Sequence, residues 1–181
     1  MALVADLLTF SRLFIAVAVV LLGLFYGERV FRGVVLLLLA GWSTDILDGK
    51  LARMAKGHTM LGGFDFLLDL LMVVSSFIYL SLSGFVSGRL ALIYLFALTL
   101  VFVMFHSKSV LMLLIAPLTF LPFFIAYQHD HAVFLIACVW ALIAFCFERK
   151  RFFGVIAEFA AGFPGGYLKN TARFFERLSR L

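Results

Sequence analysis

Four aspartates, Asp45, Asp48, Asp65 and Asp69, stand in the stretch DILDGKLARMAKGHTMLGGFDFLLD, in a chain of 181 residues with only 10 acidic ones. Asp45 and Asp48 are three apart and Asp65 and Asp69 four apart, so on helices each pair shares a face. Carboxylates gathered in an apolar setting repel one another and protonate unless something positive fills the space between them. An all-oxygen, carboxylate-rich set suits a hard divalent cation such as Mg²⁺ or Mn²⁺. Magnesium keeps waters and takes substrate phosphates as further ligands, so the expected substrate bears phosphate. The other use of these carboxylates is a set of structural salt bridges with Lys50, Arg53 and Lys56, although ionisable groups within membrane segments are functional by default.

The neighbouring residues suit a phosphate ligand. Gly49 and Ala52 follow Asp45 and Asp48 by four residues each and leave room against the backbone, and Gly62 and Gly63 do the same before the second pair. Close helix packing is the other use of such small residues. Arg53 and Lys56 lie beside the same face and can hold phosphate oxygens. His58 either touches phosphate or is a solvated loop histidine.

The elements that must position these groups are membrane helices. The chain is 65% hydrophobic and 14% charged, with mean hydropathy +1.14, against about 45–50% and about 25% in globular proteins. Six apolar runs are long enough to cross roughly 30 Å of hydrocarbon: residues 7–26, 33–54, 61–82, 88–106, 109–127 and 131–147. Short connections predict an all-α, up-and-down bundle with the two aspartate pairs on neighbouring helices. The first run is expected to be a retained span, because MALVADLL has no basic leader region.

Of the 15 Lys and Arg residues, 12 fall on the side that carries the aspartate loop, and only Arg29, Arg32 and Arg89 on the other. By the positive-inside rule both termini and the carboxylate site are cytoplasmic. The net charge of +5 sits at the ends of apolar runs, which points to anionic lipid headgroups and not to nucleic acid. Cys138 and Cys146 have no metal-binding or paired spacing and receive no role. The expected organisation is a catalytic membrane domain over residues 1–150 and an interfacial tail over 151–181. In the tail, PGG at 164–166 breaks the chain before a basic amphipathic helix carrying Lys169, Arg173, Arg177 and Arg180.

The aspartate stretch resembles the signature of the CDP-alcohol phosphatidyltransferase family, D-x2-D-G-x2-A-R-x8-G-x3-D-x3-D. Asp45, Asp48, Gly49, Ala52, Arg53 and Gly62 match in place; Asp65 and Asp69 keep their mutual spacing, with two residues rather than three after Gly62. LTFSR at 8–12 is similar to the L-T-x-x-R of the family's first helix, and Arg12 either faces the same pocket or is a snorkelling anchor.

The resemblance implies a bacterial inner-membrane enzyme, a homodimer, that moves a phosphatidyl group from a CDP-alcohol, CDP-diacylglycerol first, to an acceptor alcohol and releases CMP. It implies two divalent ions held by Asp45, Asp48, Asp65 and Asp69, with Asp69 also the general base, and substrate contacts from Gly49, Ala52, Arg53 and Gly62. Lys108 and Ser109 are similar to the K-T of phosphatidylglycerophosphate synthase-like members. That favours glycerol 3-phosphate as acceptor over inositol phosphate, serine or phosphatidylglycerol; the other reading of Lys108 is a topological flank. His106 and Ser107 receive no role. A cation transporter is the competing class, but transport paths place charges near mid-membrane and on several spans, whereas these carboxylates lie at one edge.

Overall fold

A computed structural model gives the structure of the chain. It describes the backbone of residues 2–54, 65–105, 108–162 and 168–180, and the side chains of 7–47, 66–104, 109–150, 152–162, 168 and 170–179. Every regular element among the described residues is helical: α1 Ala2–Tyr26, a 3-10 turn Gly27–Val30, α2 Phe31–Met54, α3 Asp65–Leu82, α4 Gly88–Phe105, α5 Lys108–His129, α6 His131–Ala161 and α7 Lys169–Arg180.

Three stretches combine the length and apolarity of a membrane span: Leu7–Leu47, Ser109–His129 and His131–Lys150. The first holds two helices, α1 and α2, which pack along one another through the intervening turn. Phe66–Leu82 and Gly88–Met104 are shorter apolar helices. Large apolar side chains such as Phe14, Phe25, Phe96, Phe120, Leu135 and Leu142 lie on the outside, the arrangement of a protein whose solvent is lipid.

The helices do not pack simply in chain order. α1 lies between α2 and α3, which touch each other only slightly; α2 packs on α6, α6 on α5, and α5 on α3, closing a ring. α4 stands outside the ring against α5 and α3. This corrects the expectation that α2 and α3 are direct neighbours. The reason is the inward stripe of α1: Thr9, Arg12, Ala16, Val19 and Gly23 recur at three- and four-residue steps and are all buried, so both aspartate-bearing helices find their partner surface on α1.

Two hydrophobic clusters hold the ring. Val19, Val34, Leu38, Met72, Tyr79 and Val133 belong to the first, and Val73, Phe77, Leu98, Leu111 and Leu118 to the second, beneath α4. α2 and α3 meet at Gly41, where a Cβ would run into Met72 Cε. α6 bends at Glu148, where φ is −121° and ψ 26°, and continues to Ala161. α7 lies back along this second half of α6, with Phe153 and Phe175 stacked at 6.0 Å and Ala157, Ala160 and Ala172 buried between them. Part of the apolar stripe of α7 is therefore spent inside the protein, while Phe174 stays exposed. The hairpin is docked on the start of α5, where a Cβ on Gly162 would lie 2.2 Å from the Ser109 Oγ.

Candidate active site

Asp45 sits on α2 and Asp69 one turn into α3. Arg12, from α1 between them, joins the two. Its Nη1 donates to Asp45 Oδ1 at 2.8 Å and to Asp69 Oδ1 at 2.6 Å. The Arg12 side chain is 0% exposed, that of Asp45 15% and that of Asp69 39%. Taking a guanidinium out of water costs several kcal/mol, and the two carboxylates offset that cost. The snorkelling alternative for Arg12 is excluded by this burial: the side chain turns into the ring and not toward an interface.

One positive centre thus meets carboxylates from two helices. Their all-oxygen chemistry makes Asp45 and Asp69 candidates to hold a divalent cation. Asp48 lies one turn beyond Asp45 on α2, and Asp65 opens α3, one turn before Asp69. Gly49, Ala52 and Arg53 continue α2 on its way to Met54, and Lys108 opens α5. The side chains of Asp48, Arg53, Asp65 and Lys108 lie outside the described residues, as do Lys56, His58, Gly62, Gly63, His106 and Ser107 altogether. Among the described residues no group of three His, Cys, Asp or Glu side chains converges.

Two grooves lead away from Asp45 on the outer side of the ring. One, of about 390 Å³, runs past Trp140 to Glu148, Phe152 and Val155 at the bend of α6. The other, of about 470 Å³, runs between α5 and α6 to Phe123 and Phe134. They share Asp45, Ile46, Trp140 and Ala141. Trp140 Nε1 donates to Ser43 Oγ at 2.8 Å, and Ser43 Oγ donates to Leu39 O at 2.8 Å. Trp42 stacks on Phe123 with ring centroids 5.7 Å apart. An apolar channel with a carboxylate at its end suits an amphiphile whose polar head meets the carboxylate while its chain stays in lipid.

The pattern of apolar and charged residues pointed to the aspartates but not to this groove. Trp42 and Trp140 read in the sequence as ordinary aromatic helix residues, and only the packing of α2 on α6 makes them a lining. Arg12 did carry a signal, a lone cation within an apolar run.

The family model for CDP-alcohol phosphatidyltransferase matches residues 2–163 of the chain. No curated protein and no solved structure matches it.

Proposed function

The chain belongs to the CDP-alcohol phosphatidyltransferase family, and from its site we propose that it transfers a phosphatidyl group from CDP-diacylglycerol to glycerol 3-phosphate. Transfer of a substituted phosphate from a CDP-alcohol in phospholipid synthesis is the activity of the family. The finer reading rests on one observation: Asp45, joined to Asp69 through Arg12, lines an apolar groove between α5 and α6. A diacyl donor has a chain for that groove and a diphosphate for the carboxylates.

In this reading Asp45, Asp48, Asp65 and Asp69 hold two divalent ions, Mg²⁺ or Mn²⁺, which neutralise charge on the diphosphate and on departing CMP. Gly49, Ala52, Arg53 and Gly62 are the further substrate-binding residues of this reading. Asp69, the more exposed of the two described carboxylates, takes the proton from the acceptor hydroxyl. The hydroxyl oxygen forms the new bond to the phosphorus bearing the lipid, and the bond from that phosphorus to CMP breaks. Lys108 meets the acceptor's phosphate.

Six spans, α1 to α6, complete the reading. α3 and α4, with 18 residues each, reach about 27 Å, close to the roughly 30 Å of hydrocarbon. The charge distribution supports a site on the cytoplasmic face, and a bacterial inner membrane is part of the same reading. α7 lies at that surface with its basic residues toward anionic lipid. A homodimer through membrane helices is part of the same reading.

The test is CMP release by purified protein given CDP-diacylglycerol, Mg²⁺ or Mn²⁺ and a panel of acceptors. Release with glycerol 3-phosphate and little with inositol phosphate, serine or phosphatidylglycerol is expected. Release with another acceptor alone refutes the acceptor assignment, and none with any acceptor from folded protein refutes the enzyme.

A further inference from the structure

We infer that Arg12 is the site's built-in counter-cation and that its guanidinium competes with divalent metal for the carboxylates of Asp45 and Asp69. The inference rests on the proposed reading of those aspartates as metal-holding groups. A single nitrogen, Nη1, contacts Oδ1 of both aspartates, at 2.8 and 2.6 Å, from a side chain with no exposed surface. The cation is therefore inside the site and not at its rim. Mg²⁺ bonds oxygen at about 2.0–2.1 Å, so an ion brought to those oxygens meets the guanidinium at close range. Like charge at such range, away from bulk water, disfavours the newcomer.

Nothing else on the inward stripe of α1 shares this role: Thr9, Ala16, Val19 and Gly23 carry no charge. The stripe is small or β-branched apart from Arg12, so the guanidinium is presented from a tightly packed helix. Before metal arrives, Arg12 draws α2 and α3 to a common point. When metal arrives, it gives up part of its hold. The consequence is a metal affinity lower than that of the same carboxylates without a resident cation. Metal is retained once a substrate's diphosphate adds its own oxygens to the set, which links metal loading to donor binding.

The experiment is Mn²⁺ binding to the full chain in detergent or nanodiscs, read by the electron paramagnetic resonance of free Mn²⁺, for the wild type, Arg12→Gln and Arg12→Lys. Helicity and a single size-exclusion peak establish folding. Arg12→Gln is expected to bind Mn²⁺ about tenfold more tightly than wild type and to gain more in melting temperature when Mn²⁺ is added. Arg12→Lys, which keeps the charge, is expected to stay near the wild-type affinity. Folded Arg12→Gln that binds Mn²⁺ equally or more weakly overturns the inference, since the guanidinium then serves only to hold the carboxylates in place. If Arg12→Gln does not fold, nitrogen NMR of arginine-labelled wild type decides, with Arg12→Lys assigning the resonance. Mg²⁺ must shift the Arg12 guanidinium signal, and an unmoved signal overturns the inference. Failure of both wild type and folded Arg12→Gln to bind Mn²⁺ removes the metal reading and this inference together, whereas the other failures remove only the role of Arg12.

Discussion

Two arginine–aspartate constellations stand along α2, one at its start and one past its middle, and they are built from the same types of side chain. At the first Arg32 Nε donates to Asp130 Oδ2 at 2.8 Å and its Nη2 to Oδ1 at 3.2 Å, with 64% of the arginine side chain exposed. At the second, about 20 Å along the helix, Arg12 is enclosed between α1, α2 and α3 and shared by Asp45 and Asp69. The outer pair has two-point geometry but lies in water, and Asp130 is in addition the N-cap of α6, accepting from Val133 N. It is a clamp between helix starts. In the inner group one nitrogen meets carboxylates from two helices, and the cation is fully buried. Charges matched one to one suit a fastening. Carboxylates from two helices drawn to one buried centre suit a site that holds a cation.

Four tests break or sharpen this contrast. The largest effect is expected from Asp69→Asn, which removes the proposed base: CMP release falls about 10²–10⁴-fold, while Asp130→Asn leaves turnover unchanged. Equal losses in steady-state CMP assays would abolish the distinction between the two. Next, the same replacement made at both arginines separates burial from pairing. Arg12→Met leaves two carboxylates without their shared cation and costs about 3 kcal/mol, at the low end for a buried pair because Asp69 is partly solvated. Arg32→Met shifts the unfolding midpoint little. Denaturation in detergent without divalent metal reads both.

A packing test comes third. Gly41→Val places a branched side chain against Met72, between the helices that carry Asp45 and Asp69. It is expected to cost about 1–3 kcal/mol and to lower turnover as α2 and α3 are pushed apart. Wild-type turnover in that variant would mean that the site does not depend on this approach.

The smallest effect is a pH dependence at the outer end. Hydrogen bonds from Arg32 and then from the Val133 amide hold the Asp130 carboxyl below the ordinary aspartate range. A carboxyl depressed in the folded state stabilises the fold above its unfolded pKa, and that contribution fades as pH falls through the folded value. Melting temperature should thus decline with acidification below the ordinary carboxylate range, and less steeply in Arg32→Met. Parallel profiles would show that the pair contributes nothing.

Much of this was legible in the residues. The apolar runs correspond to helices because an apolar stretch in lipid must satisfy its own backbone hydrogen bonds. The aspartate spacings place two carboxylates on α2 and two on α3. The neighbour relations were not legible. A short connection between α2 and α3 suggests contact, but the inward stripe of α1 competes for both surfaces and wins. The bend of α6 at Glu148 and the return of α7 onto α6 were equally hidden, since a polar ERKR run reads as the end of a helix and not as a turn within one. Trp42, Ser43 and Trp140 acquire their place only from the packing of α2 on α6.

By itself the sequence determined the helical class, the lipid-facing character, the family and which helices carry the aspartates, because these follow from composition and from spacings along single helices. Only the tertiary structure decided that a cation from α1 joins Asp45 to Asp69 and that an apolar groove ends at Asp45. Both depend on three helices from distant parts of the chain meeting at one point. Which surfaces meet is settled by competition among all the stripes at once, and no local spacing records the outcome.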